Sequence, residues 1–477
     1  MVFRTPLPPS APAARLVGVA LLALATQACA VGPNYRPQAA AALSVPDRYQ
    51  APGAESVDAA QLAHWWTAFD DPTLTSLVER TLAGNTDLAA AQARLRAARA
   101  SLKASRGALF PSLSASGSAN RQDVVEGAGS GNDGFQAGLD ASYEVDLFGG
   151  VRRSVEAARA TAEGSAATLA DVQRSLVAEV ALNYIDARST QSRLAVAREN
   201  IGIQDETLQI VRWRVEAGLV SDLDLQQAIA QRAQTAASIP TLEQSYAASV
   251  NRIAVLIGQA PGAVTAEMAA QQPIPLGPDN VEAGLPADLL NRRPDLIAAE
   301  RSLAAEVARI GVAEADLYPA LRLSGSLSSS STNFSGLGDN IISNLIGSIT
   351  APIFQGGQIR ARIEQQRATA DAALASYRGT VLTALEDVEN ALVSIDRTKA
   401  RESELVTAEA AARESVSLAE AQYQSGLIDF QALLSTQQSL LSAQDSRTTA
   451  RAARASASIQ LFKALGGGWD ASERTGS

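Results

Sequence analysis

Apolar positions in this chain follow two different periods. From Val151 to Ala217 there is no proline, and glycine occurs only at Gly164 and Gly202. Within that run Leu169, Val172, Leu176, Val180 and Tyr184, then Leu194, Ile201, Leu208 and Val211, recur at three-, four- and seven-residue spacings, the stripe of one helix face. A second proline-free run, Ile359 to Gln424, has a single glycine, Gly379. A helix of about 66 residues at ~1.5 Å per residue reaches ~100 Å. No globular domain is that wide, so such helices need neighbours of similar length, as in a coiled coil or a tube.

Both runs stop at a glycine: Gly218 in Glu-Ala-Gly-Leu-Val-Ser-Asp and Gly426 in Gln-Ser-Gly-Leu-Ile-Asp-Phe. Glycine at a helix C-terminus accepts the positive φ that ends the helix. Ser221 or Asp222, and Asp429 in the second run, are placed to N-cap a following helix. The pattern predicts those helices over about 223–257 and 430–465. The links are short, so each run and its follower form a long antiparallel hairpin. Shorter helices are predicted over about 86–107 and 294–316, with Pro294 in a first turn.

Between the helices the period changes to two. Residues about 112–120 alternate weakly. Over about 135–148 the alternation is clear, with Phe135, Ala137, Leu139, Ala141, Tyr143, Val145 and Leu147 on one face. Leu321, Leu323, Gly325 and Leu327 alternate within a strand of about 320–329, and a fourth strand is predicted at about 341–354. Gly- and Ser-rich links join each pair. Alternation over roughly 9–11 residues is the pattern of transmembrane β-barrel strands. Open sheet edges are not tolerated in lipid and the smallest common barrels have about eight strands, so four strands cannot close alone. Three copies would supply about twelve. A small soluble β-subdomain is the alternative use of the same strands; long helices tied to β-hairpins favour the tube.

The chain also repeats itself. Asn85–Leu88 returns at Arg293–Leu296, Leu109-Phe110-Pro111 at Leu317-Tyr318-Pro319, and Glu156 with Arg159–Ala162 at Glu364 with Arg367–Ala370. Gly218-Leu219-Val220 returns at Gly426-Leu427-Ile428, and the offset is 208 residues throughout (85 to 293, 218 to 426). A two-fold internal repeat makes each half one structural unit, the two packing as pseudo-equivalents.

Composition narrows the chemistry. Aromatic content is 4% against 46% hydrophobic, which suits long helices packed through small side chains. One Cys (Cys29) and one His (His64) exclude an internal disulfide and leave no Cys/His metal cluster. A net charge of −10 does not suit a nucleic-acid binder. No Ser–His–Asp, metal or phosphate constellation is visible, so the reading is of a non-enzyme without cofactors. Residues 1–28 read as an export signal: Arg4 and Arg15 are basic, Leu16–Ala25 is apolar, and Thr26-Gln27-Ala28 precedes Cys29. Cys29 falls where a bacterial lipoprotein is cut and lipidated. Ala30, rather than Asp, after it favours the outer membrane, as in enterobacterial lipoproteins. The expected organisation is a signal peptide (1–28), a lipidated N-terminal segment (29–84), two structural repeats (85–284 and 285–466) and a C-terminal tail (467–477).

Several stretches carry a resemblance. They are Cys29-Ala-Val-Gly-Pro-Asn-Tyr35, His64-Trp65-Trp66 with Phe69-Asp70-Asp71-Pro72, Asn85-Thr-Asp-Leu88, Leu285-Pro-Ala-Asp-Leu-Leu-Asn-Arg-Arg-Pro-Asp-Leu296, Phe354-Gln355-Gly356-Gly357 and the two Gly-Leu tips. With these the chain resembles outer-membrane efflux factors, the TolC-type channels of drug and metal extrusion systems, in their NodT-like lipoprotein branch. The resemblance implies a mostly α protein with a small membrane β-barrel portion. It would form a homotrimer with a twelve-stranded barrel in outer-membrane lipid and a helical tunnel through the periplasm. It further implies palmitate on Cys29, a periplasmic adaptor protein, a proton-driven inner-membrane pump, and passive conduction through a gated pore. The rival reading is a structural coiled-coil outer-membrane lipoprotein without transport activity.

By the same resemblance the hairpin tips sit at the periplasmic opening. Gly218, Leu219, Val220, Ser221, Gly426, Leu427 and Ile428 would meet the adaptor. Asp224 and Tyr423 would tether neighbouring hairpins, beside Asp222. Family members commonly carry Asp at positions matching Ala432 or Ser435; here Asp429, Gln431 and Ser435 would form a weaker polar ring. The plainer alternatives are a helix-start carboxylate at Asp224, favoured by the helix dipole, and ordinary packing for Tyr423.

Overall fold

A computed structural model describes residues 30–50, 59–123, 125–126, 132–278 and 283–470. The predicted signal, Cys29 and the end of the tail lie outside the described residues. In chain order the main elements are α1 (Pro72–Gly84), α2 (Thr86–Gly107), β1 (Ser112–Gln122), β2 (Asn132–Val145), α3 (Gly150–Glu216), α4 (Asp222–Leu256), α5 (Pro294–Ala315), β3 (Ala320–Ser331), β4 (Ile341–Thr350), α6 (Gln358–Gln424) and α7 (Phe430–Ala464). The duplication is visible in their lengths. α2 and α5 have 22 residues each, α3 and α6 have 67, and α4 and α7 have 35. Each pair starts 208 residues apart (86 and 294, 150 and 358, 222 and 430). Among the described residues the chain is mostly helical, with four strands and two repeats.

The compact units do not follow the repeats. One comprises the described residues up to Pro37 with Leu95–Ser165 and Ala299–Tyr377; the other comprises Gln38–Arg94, Ala166–Ala298 and the chain from Arg378. Each draws on both halves of the sequence.

The first unit carries the sheet, in order β1-β2-β3-β4, with every neighbouring pair antiparallel. The register aligns the alternation of all four strands. Leu113 lies opposite Ala141, Leu139 opposite Leu327, Tyr143 opposite Leu323, and Leu321 opposite Ile349, so one face of the sheet is apolar. Ser, Gln and Asn fill most of the other face, where Arg322 pairs with Glu144 at 3.0 Å. β2 ends at Val145 rather than running on to Phe148. Asp146 is the reason: its carboxylate accepts from Val151 N (3.1 Å) and Arg152 N (2.9 Å), the free amides at the start of α3. β4 stops at Thr350, short of 354, where Pro352 has no N–H to continue a ladder.

The segment after Cys29 is strapped to this unit. Val31 N donates to Phe148 O, and the buried Arg153 guanidinium donates to Val31 O, Gly32 O and Asn34 Oδ1 at 2.8–3.0 Å. Gly32 crosses Gly311 so closely that a Cβ there would meet the Gly311 Cα at 2.4 Å. Tyr35 Oη donates to Glu300, and burial, with Glu300 beside it, pushes the Tyr35 phenol well up.

The second unit holds the helical core. Leu176, Val180, Tyr184, Leu194, Leu208 and Val211 of the predicted α3 stripe are all buried. Asp71 caps α1 through Thr73 N and Leu74 N, and accepts from Tyr184 Oη at 2.7 Å. Burial and that bond push the Tyr184 phenol up to about 12. Trp65 stacks on Phe462 with 5.4 Å between ring centroids. The Arg-Arg-Pro-Asp-Leu run also acquires a role. Arg293 is buried, pairs with Asp295 (2.7 Å) and Asp387 (3.0 Å), and donates to the Ala384 and Ala464 carbonyls. One guanidinium thus joins the start of α5 to α6 and the end of α7. Among the described residues no helix is long and apolar enough to cross a membrane.

Candidate functional site

The predicted site residues other than Cys29 lie at the two hairpin tips. α3 and α6 end in the same way. Gly218 has φ 69° and Gly426 φ 76°, Leu219 N donates back to Arg214 O, and Leu427 N to Gln422 O, both at 2.8 Å. This is the Schellman arrangement, in which a left-handed residue lets the chain turn while satisfying the last helical carbonyls. Leu219 and Leu427 project into solvent, whereas Val220 and Ile428 pack against the core of Leu208, Val211, Phe430 and Leu433.

The restarts differ. Ser221 is the α4 cap, and it forms a capping box with Asp224. Ser221 Oγ accepts from Asp224 N at 3.4 Å, while the Asp224 carboxylate accepts from Ser221 N (3.2 Å) and Oγ (3.1 Å). Asp222 follows in the exposed first turn, where the helix dipole favours its charge. At the second tip Asp429 alone caps α7, accepting from Ala432 N at 2.8 Å. Gln431 is exposed, and Ser435 turns its hydroxyl onto the Ala432 carbonyl of its own helix.

Between the two tips lies an open cavity of about 440 Å³, lined by Arg214, Leu223, Asp224, Tyr423, Asp429 and Gln431 among others. Tyr423 and Asp224 therefore share a cavity, with no hydrogen bond between them within one chain. The Tyr423 ring is 3% exposed, and its hydroxyl is buried without a partner. Phe430 leans against the ring, centroids 5.9 Å apart. Over the ring lies the Arg214 guanidinium, 4.4 Å from the centroid, and its Nη2 donates to Gln424 O at 3.0 Å. A cation on an aromatic face gains from the ring quadrupole. Here it also closes the C-terminus of the opposite hairpin's helix, where a cation suits the dipole.

Sequence reasoning missed Arg214 and Phe430. A comparison of the repeats could have found the first. At the 208-residue offset Arg214 corresponds to Gln422 and Tyr423 to Val215, so this pair breaks the duplication. Among the described residues no group of three His, Cys, Asp or Glu could hold a metal.

Comparison with known proteins gives this geometry its setting. The sequence model described as "Outer membrane efflux protein" matches residues 77–259 and 285–467, one segment per repeat. The pyoverdine export outer membrane protein OpmQ of Pseudomonas aeruginosa is 36% identical over 91% of this chain and 93% of its own length. Nodulation protein T of Rhizobium leguminosarum bv. trifolii is 32% identical over 94% and 96%. The solved outer-membrane channel OprN superposes with a TM-score of 0.85 at 36% identity, covering 93% of this chain and all of that one. With both repeats matched and its relatives covered almost end to end, the chain belongs to the outer membrane efflux protein family.

Proposed function

We propose that three copies of this chain form one gated, passive conduit through the outer membrane, receiving small molecules from a periplasmic adaptor and an inner-membrane pump. The observation that carries the proposal is the sheet. It has one apolar face in register across four strands, and β1 and β4 are exposed along their whole length with no further strand beside them among the described residues. Lipid tolerates a sheet only when its edges are paired, and three such sheets joined β4 to β1 make twelve strands. A spacer lipoprotein has no use for such a face.

The strap at Ala30–Tyr35 supports palmitate on Cys29, because it ties the residue after that cysteine to the strand-bearing unit. The hairpin tips, with Leu219, Leu223 and Leu427 exposed, fit an adaptor contact; Asp224 and Tyr423 fit a link between neighbouring hairpins. Energy is supplied by the pump, taken as proton-driven, and this chain catalyses no reaction. Among its relatives OpmQ exports pyoverdine; here the cargo class is the wider one of drugs, metals and other small molecules.

Purified full-length chain reconstituted in planar bilayers tests this. Heat-modifiable trimers with stepwise ion conductance are expected. Monomeric material that passes no ions overturns the reading.

A further inference from the structure

Along α3 the side chains facing α4 and α7 change character twice. Leu194 and Ala197 pack with Leu242, beside Ile239 and Tyr246. Nearer the tips Leu208 and Val211 pack with Ala228, Tyr423 and Phe430. Between these apolar clusters the buried positions are polar: Asn200, Gln204 and Thr207 on α3, Thr235 on α4, Gln437 and Gln444 on α7. Asn200 donates to Gln444 (2.7 Å), Gln204 to Thr235 (3.0 Å) and Gln437 to Thr207 (2.9 Å), while the Gln204 Oε1 is buried without a partner. Close-packed apolar contacts resist sliding. Neutral hydrogen bonds, each of small net worth, can be exchanged for others.

The backbone of α4 is weakest at the same level. Pro240 lies inside the helix. It has no N–H, so the Ala236 carbonyl loses its helical partner. One turn earlier Thr235 donates to Gln231 O (3.2 Å) and Ser238 to Thr235 O (2.7 Å). Such back-bonding loosens and bends helices. The second repeat has such back-bonds too, from Ser439 to Ser435 O (2.8 Å) and from Thr448 to Gln444 O (2.9 Å), but not the proline. α7 has Thr448 where α4 has Pro240, and no interior proline. α7 is also tied to α6 through buried carboxylates, Glu402 with Arg454 and Glu409 with Arg447, both at 2.7 Å. The corresponding ties of α4 to α3, Arg232–Asp205 and Arg198–Glu243, are exposed.

We propose that residues 231–241 of α4 form a hinge peculiar to the first repeat. Residues 222–230 swing about it over the polar layer while 242–256 stay packed. Its use in opening the pore rests on the channel reading above; its existence does not.

Hydrogen exchange on the intact protein tests the hinge. Amides within 231–241 should exchange about ten-fold faster than the equivalent 439–449 of α7, as a local opening requires. Pro240 is exposed and Ala is the better helix former, so Pro240→Ala should fold and bring the two stretches to within about two-fold. Gln204→Leu with Thr235→Val, which turns the layer apolar, should also slow exchange there. Equal exchange in the unmodified protein, or no response to Pro240→Ala, overturns the hinge. In planar bilayers Pro240→Ala should give about three-fold fewer openings, as expected when an opening step is gated by hinge motion. Unchanged openings overturn the hinge's part in gating. A protein that never conducts overturns the channel reading instead, while the exchange result still decides the hinge.

Discussion

Ser221 and Asp224 cap α4 together, so a carboxylate at this turn can serve its own helix or a neighbouring hairpin, and substitution separates the two. Ser221→Ala removes the cap hydroxyl, costing the helix start about 1 kcal/mol, and leaves the Asp224 charge in place. Asp224→Ala removes the charge and its bonds to Ser221 N and Oγ, and leaves the cap hydroxyl on the residue-224 amide. If the proposed link to Tyr423 holds, Asp224→Ala raises single-channel conductance with trimers intact, and Ser221→Ala does not. Equal increases from both would assign the effect to capping. Tyr423→Phe is the sharper probe, because its hydroxyl has no partner within the chain. Removing an unsatisfied buried hydroxyl costs a lone chain nothing, so a rise in conductance is expected only where the hydroxyl finds a partner in the assembled pore. At Arg293 the logic is different. Arg293→Ala takes from the largely buried Asp295 its closer cation, leaving Arg174 at 3.5 Å, and should destabilise by about 3 kcal/mol, the low end for a broken buried pair because Arg174 remains and Asp387 is half exposed. A drop in the protein's melting temperature would register it.

Individual helices are held to one another by ion pairs that titrate. Burial opposes the charges of Asp295 and Glu409, yet Arg293 and Arg174 around the first, and Arg447 and Arg413 around the second, hold both carboxyls below their ordinary values. A carboxyl depressed in the folded state contributes stability above its unfolded pKa and loses it as pH falls through the folded one. Thermal stability should therefore be flat from about pH 8 to pH 5 and fall progressively below about pH 4. Glu409→Gln should flatten that fall; a fall of unchanged depth would show that other carboxylates govern it. The same elements show what a sequence discloses. Gly218 and Gly426, the proline-free runs and the period-two stretches are local signals, and the helices and strands lie where those signals put them. The end of β2 was hidden because alternation continues through Leu147, while the bonds from Asp146 to the amides of α3 decide where the strand stops. Arg214 reaching Gln424 and Arg153 reaching Val31 span 210 and 122 residues, and no periodicity encodes such contacts. The tips were legible as turns; the cation over Tyr423 that joins them was not.

For the whole molecule the decisive question is what covers the apolar face of the sheet. Leu345, at the middle of β4, is 86% exposed in one chain and lies on that face, opposite Gly325. Its neighbour Asn344 points to the opposite, mainly polar face, opposite Ser326. In a lipid-embedded barrel a Lys on the outer face near the midplane costs about 2–4 kcal/mol, and a threefold assembly incurs that cost three times. A Lys on the inner face meets water and changes only the field along the pore. Leu345→Lys should then deplete heat-stable trimers from outer-membrane fractions, whereas Asn344→Lys should insert normally and lower cation conductance. A small soluble β-subdomain predicts otherwise, since both positions are solvent-exposed and a Lys at either is harmless. Equal tolerance of the two variants would therefore remove the membrane barrel, and with it the conduit. A loss confined to Leu345→Lys would identify lipid as the partner of the apolar face.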